Sequence, residues 1–140
     1  MNLRAAFLAD AVMQNADGTF MVWRGGVTDT LVAAFPAAVQ YALLLRLEAD
    51  PDEAKQLHEM ATAVYHKGEQ VGPQQTSPLA LRAVPGEPRI YLNVVVNLQL
   101  MINEPGEGFV QVVFDRAVRV PRVYFTVRPI PGVGPPHGVA

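Results

Sequence analysis

At 140 residues the chain has the size of one domain, with room to bury a core without covalent staples. Half of it is apolar and 17% is charged, which excludes a disordered or heavily solvated chain, and a formal charge of −2 supplies no electrostatic pull toward nucleic acid or an anionic membrane. The absence of cysteine removes disulfides, thiolate nucleophiles and thiolate metal sites together.

The apolar stretch Ala5 to Ala9 follows Arg4 but is interrupted by Asp10, too early for a signal peptide. No segment approaches the roughly 20 apolar residues that span a bilayer. A cytoplasmic location, with no membrane span, is the expectation. Leu3 to Met13 alternates as a strand, with Leu3, Ala5, Phe7, Ala9, Ala11 and Met13 on one apolar face. Asn15-Ala16-Asp17-Gly18 supplies turn chemistry, and Thr19 to Trp23 reads as the returning strand of a hairpin. Gly25-Gly26 marks a break or bulge before a segment that ends at Phe35-Pro36.

Period-two alternation is clearest from Val39 to Ala49, where Val39, Tyr41, Leu43, Leu45, Leu47 and Ala49 are apolar. Gln40, Arg46 and Glu48 fall on the opposite, wetted face. Asp50-Pro51-Asp52-Glu53-Ala54 reads as one helical turn, with Asp50 as N-cap and Pro51 at the first helical position. Leu57 to His66 is a strand with poorly distinguished faces, followed by a polar loop from Gly68 to Pro78. A short strand over Leu79 to Ala83 leads to the turn Pro85-Gly86-Glu87-Pro88. Ile90 to Ile102 then places Ile90, Leu92, Val94, Val96, Leu98, Leu100 and Ile102 on one face, with Arg89, Asn93, Asn97, Gln99 and Asn103 mostly opposite. At about 3.3 Å per residue it would run about 40 Å, so a bend, bulge or split near Asn97 is expected. Glu104-Pro105-Gly106-Glu107-Gly108 turns the chain into Phe109–Phe114, and Asp115-Arg116 turns it into Val118–Val127. Pro121 interrupts that strand, which suggests an edge or a bulge.

These elements define an all-β domain over residues 1–128: a two-layer antiparallel β-sandwich of about eight strands, immunoglobulin-like or C2-like. Val39–Ala49 and Ile90–Ile102 form its apolar centre, with the two terminal hairpins beside them. Residues 129–140, rich in Pro and Gly, form a flexible tail.

Phe7-Leu8-Ala9-Asp10-Ala11 leading to Ala16-Asp17-Gly18 resembles the opening of a family of small uncharacterised bacterial proteins that carry a domain of unknown function. Val22-Trp23-Arg24-Gly25-Gly26, Phe35-Pro36-Ala37, Asp52-Glu53-Ala54 with His58, and Glu104-Pro105-Gly106 resemble its later blocks, in order. The resemblance covers most of Leu3 to Val127. Two departures lie at His66-Lys67-Gly68, where the family carries an Asp-Gly-type turn, and in the polar loop Glu69 to Pro78. The resemblance implies a compact β-sandwich and no assigned activity.

The chemistry-bearing residues lack a convergent pattern. His58 and His66 share a strand face but stand about 26 Å apart at eight residues of strand, too far for one metal ion, and His137 lies in the tail. Asp17, Asp29, Asp50, Asp52 and Asp115 fall near turns, where aspartate serves local hydrogen bonding, although a C2-type Ca²⁺ site would draw on such loops. Ser77 is the lone serine and has no nucleophile elbow. Glu48, Glu59, Glu104 and Glu107 could pair as a glycosidase requires only if the fold joined them. Arg116, Arg119, Arg122 and Arg128 decorate the last hairpin and read as a solvated face or salt-bridge partners. The expectation is therefore a non-catalytic interaction or structural module that binds another protein or itself, without catalytic, metal or cofactor residues and without nucleic acid. Strand edges and the apolar second faces at Leu8, Val12, Val95 and Met101 are its expected contact surfaces. The alternative is a ligand- or Ca²⁺-binding C2-like sandwich, or an enzyme whose site is assembled from loops.

Overall fold

The computed structural model describes residues 1–116, 118–119 and 122–132. Its strands are β1 (Asn2–Ala9), β2 (Ala11–Gln14), β3 (Phe20–Trp23), β4 (Asp29–Val32), β5 (Ala37–Ala49), β6 (His58–His66), β7 (Glu69–Gln70), β8 (Gln75–Leu79), β9 (Ile90–Ile102), β10 (Gly106–Phe114), β11 (Val118–Arg119) and β12 (Val123–Pro129). One sheet has the order β1-β5-β9. The other runs β4-β12-β10-β6-β7, with β8 also on β6 and β11 also on β10, while β2 and β3 pair with each other. All pairs are antiparallel except β4 with β12, which is parallel. No helix is long and apolar enough to cross a membrane.

The layers meet along the faces that alternation marks. Tyr41, Leu43, Leu45 and Leu47 of β5 are fully buried, as are Val110 and Val112 of β10 and Phe125 and Val127 of β12. They form one core with Leu98, Leu100 and Ile102 of β9. Burying one such aliphatic side chain stabilises the fold by about 1.5–3 kcal/mol, so the sandwich rests on this set. Across the layers the Tyr41 and Phe125 rings pack at 5.3 Å, and the Tyr41 hydroxyl shares a hydrogen bond of 2.5 Å with Thr30 of β4. The fold is an all-β, sandwich-like domain.

Several sequence expectations need correction. The long strand Ile90–Ile102 does not bulge or split near Asn97: all 13 of its residues pair in unbroken register with Ala37–Ala49. An equally long neighbour supports it throughout, and that partner is invisible to a length argument. Leu3–Met13 is two strands rather than one, broken at Asp10, and a bulge between Leu3 and Ala5 shifts the register of β1. One extra residue swaps the faces. Ala6 and Leu8 therefore oppose Leu45 and Leu43, while Phe7 and Ala9 oppose Leu44 and Ala42 on the outer face.

That outer face is only partly wetted. Ala9 and Ala42 are buried, and a Cβ added at Gly25 would meet the Phe7 ring at 3.4 Å, so the chain leaving β3 lies over it. Glu48, expected in water, is buried beneath the arginines described below. The hairpin at Phe109–Val127 does not lie beside the β5–β9 pair; it belongs to the opposing sheet and packs face to face with it. The expected polar loop Gly68–Pro78 contains β7 and most of β8, where Pro78 is tolerated on an edge, while 80–89 forms no strand. Leu81 instead buries itself with Ala49 and Ile90. The last strand divides into β11 and β12, and β12 lies between β4 and β10 rather than at an edge. Pro121 and the tail from residue 133 onward, including His137, lie outside the described residues.

Candidate interaction surfaces

Asp10 ends β1, and the chain then forms a separate two-stranded hairpin, with β2 close to β5. Asn15-Ala16-Asp17-Gly18 closes it as the turn chemistry predicts. Asp17 accepts hydrogen bonds from the Thr19 amide (3.0 Å) and hydroxyl (2.5 Å), and Gly18 takes the positive φ of 85° that its lack of a Cβ permits. Those bonds hold the Asp17 carboxyl below its ordinary pKa.

In the β2–β3 register Ala11 opposes Trp23 and Met13 opposes Met21, so these four share one face; Val12 and Val22 share the other. Met13 is 50% exposed, Met21 46% and Trp23 44%, values that put large apolar side chains in water on a surface with no charged member. Single exposed apolar residues need no explanation; here three large ones share one face of one hairpin. At the foot of the arm Arg24 pairs with Asp10 at 3.3 Å.

The titratable groups are engaged in separate places. His58 begins β6 and is buried. Its Nδ1 lies 2.8 Å from Asp115 Oδ2, and its Nε2 lies 2.7 Å from the Glu53 carbonyl. The side-chain bond to Asp115 raises the His58 pKa most, followed by the bond to the Glu53 carbonyl; an imidazolium donates to both. Burial pushes Asp115 up, but the bonds from His58 and from the Glu59 amide outweigh it and leave that carboxyl lowered. With both ring nitrogens bonded, His58 ties the 3-10 turn Pro51–Lys55 and β6 to the end of β10, and offers neither nitrogen as a base or a metal ligand. The N-terminal amine joins the same corner through Glu53 at 2.7 Å. A shallow cleft beside it is bordered by a fully exposed Leu57, Pro78, Leu81 and Arg116.

His66, at the opposite end of β6, stacks near Phe125 and reaches the Gly106 carbonyl at 3.3 Å. Asp50 does not cap the 3-10 turn with its side chain; its backbone carbonyl accepts from Glu53 and its carboxylate pairs with Arg89 at 3.2 Å. Arg89 and Arg4 also close over Glu48, and the Arg4 hydrogen bond is the main cause of its lowered pKa. Asp29 pairs with Arg128, Asp52 with Lys55 and Glu59 with Arg116. Arg122 lies over the Phe109 ring at 4.2 Å. Thus Arg116, Arg122 and Arg128 each engage a separate partner. Ser77 sits opposite Met60 on exposed β8. Among the described residues no three histidine or carboxylate side chains gather where they could hold a metal ion.

Sequence reasoning credited Met13 to a buried face and so missed its exposure; of the contact faces it named, Val12 lies on the arm's other face, while Leu8 is buried in the core. The exposed pair Met13 and Met21 becomes visible only once the strand is known to break at Asp10. The His58–Asp115 bond joins positions 57 residues apart, a separation that spacing along the chain does not encode.

Two layers of strand, a self-paired apolar arm and titratable groups tied up in structural pairs together define a small all-β sandwich domain. The family model for a family of unknown function, DUF6941, matches residues 4–126, and the chain belongs to that family. The match spans the region over which the sequence blocks resemble such a family. A search of curated proteins finds no match.

Proposed function

We propose that this domain is a non-catalytic interaction module that binds a segment of another protein through the β2–β3 arm. The carrying observation is the uncharged apolar face of Ala11, Met13, Met21 and Trp23, displayed on two strands that pair with nothing else. An isolated two-stranded hairpin is marginal in water, so a partner that covers this face also stabilises the arm. Trp is enriched at interface hot spots, and Met adapts its shape to a partner. The engagement of His58, Asp115 and the other aspartates in structural bonds supports the non-catalytic part of the reading.

Affinity purification from the native host with the wild-type chain and with Met21→Glu/Trp23→Glu tests it. The expected result is a stoichiometric partner retained by the wild type and lost by the variant. Equal recovery on both baits, or a melting temperature raised by a metal or small-molecule panel but by no protein, would overturn it.

A further inference from the structure

Among the described residues the two larger sheets end in four edges, and three of these are blunted. The outer edge of β1 carries the Leu3/Ala5 bulge, and its Leu8 carbonyl already accepts the amides of Gly26 and Val27. The β4 edge is four residues long and carries Asp29 in an ion pair. Opposite it, β7 is two residues long and β8 contains Pro78. These are the devices by which sheets avoid joining edge to edge.

β9 has none of them. It pairs with β5 on one side, its other side has no strand neighbour, and its backbone makes no hydrogen bond to any loop among the described residues. It runs 13 residues without a charge, a proline, a glycine or a bulge. The core beneath it is also incomplete there. Leu92 and Val94 face inward but stay partly exposed, whereas the β5 residues they oppose, Leu47 and Leu45, are fully buried.

The sequence of β9 reads nearly the same in both directions about Val96. Ile90 matches Ile102, Leu92 Leu100, Asn93 Gln99 and Val94 Leu98; Tyr91 and Met101 are alike in size and exposure only, and Val95 and Asn97 differ in kind. Antiparallel pairing of two copies across a two-fold axis places these matched residues opposite one another. Leucine then meets leucine on the core side, and the amides of Asn93 and Gln99 meet on the outer side. No like charges approach, because the strand has none.

The geometry points to self-association of this chain through β9, two copies pairing antiparallel about Val96 to form a continuous six-stranded sheet β1-β5-β9-β9-β5-β1. This assigns a second copy to a surface distinct from the arm, and it shares with the interaction reading only the premise that the domain works by protein contact. In this register Val95 of one copy opposes Asn97 of the other on the outer face. Val95→Lys/Asn97→Lys therefore sets lysine against lysine twice across the axis, and Val95→Glu/Asn97→Glu does the same with glutamate.

Light scattering on the full chain across a concentration series should give twice the monomer mass of 15.2 kDa for the wild type. Each charged double variant should give the monomer mass, and an equimolar mixture of the two should recover the doubled mass. Met21→Glu/Trp23→Glu should leave the doubled mass unchanged, so failure of the arm reading and failure of this one are separable. A wild type that stays monomeric overturns the proposal. So does a dimer that survives both charged variants, a mixture that fails to re-associate, or a dimer abolished by the arm variant. On the unaltered chain, amide exchange over residues 91–101 should slow as concentration rises; exchange independent of concentration overturns it as well.

Discussion

Gly108→Ala should be among the most damaging single-methyl additions in this domain. Gly108 lies in β10 between Tyr65 and His66 of β6 and Phe125 of β12. A Cβ there would stand 2.5 Å from the Tyr65 carbonyl oxygen and 2.6 Å from Phe125 Cζ. Neither atom yields easily. The carbonyl belongs to the backbone of the paired strand, and the Phe125 ring is 1% exposed and packed on Tyr41. Overpacking a core by one methyl costs about 1–3 kcal/mol, and two immovable neighbours place this site at the upper end, about 3 kcal/mol. For a domain of this size that is about 10 °C in Tm. Thermal melts and urea titrations measure it directly. Phe125→Leu removes the ring edge, so the double variant should recover roughly 1 kcal/mol relative to the sum of the single changes. A fall in Tm under about 2 °C, within the range of an ordinary surface change, or strict additivity with Phe125→Leu, would refute the steric reasoning.

Tyr41→Phe removes the hydroxyl bond to Thr30 between the layers and should cost about 1 kcal/mol, read from the urea midpoint with an unchanged m-value. The His58–Asp115 pair predicts a stability plateau. The raised pKa of His58 contributes fully below its ordinary value of 6.5 and is lost as pH rises through the folded value. The lowered pKa of Asp115 contributes above its ordinary 3.8 and is lost as pH falls through the folded value. The Tm difference between wild type and His58→Gln should therefore be largest between those two ordinary values and shrink toward alkaline pH; a difference independent of pH removes the ion pair from the account. Trp23, the lone tryptophan, should emit at long wavelength and be quenched by acrylamide in the free chain, whereas a short-wavelength, unquenched emission contradicts an exposed arm.

The alternation of β5 and β9 was legible because each buries one face against a continuous partner, so composition at every second position reports burial. The β1 faces were not legible past Leu3. A bulge is a backbone event, and Ala5–Ala9 is apolar at every position, so its faces read alike in either register. The burial of Glu48 escaped the same logic, since Arg4 and Arg89 approach it from 44 and 41 positions away in sequence (48 − 4 and 89 − 48). The parallel pairing of β4 with β12 is likewise a long-range event, and the four residues of β4 carry little pattern of their own. The turn at Asp17-Gly18 was readable because its chemistry is local. The apolar arm lies between these cases: its turn was legible, while its exposure depends on where β1 stops.

The most direct test of the interaction reading is photo-crosslinking in living cells of the native host, with the reactive group placed at Met21 on the arm and, in a parallel strain, at exposed Glu87 in the loop before β9. The arm position should yield one discrete adduct heavier than the chain, and the loop position none. Matching adducts from both positions, or none from Met21, would contradict it.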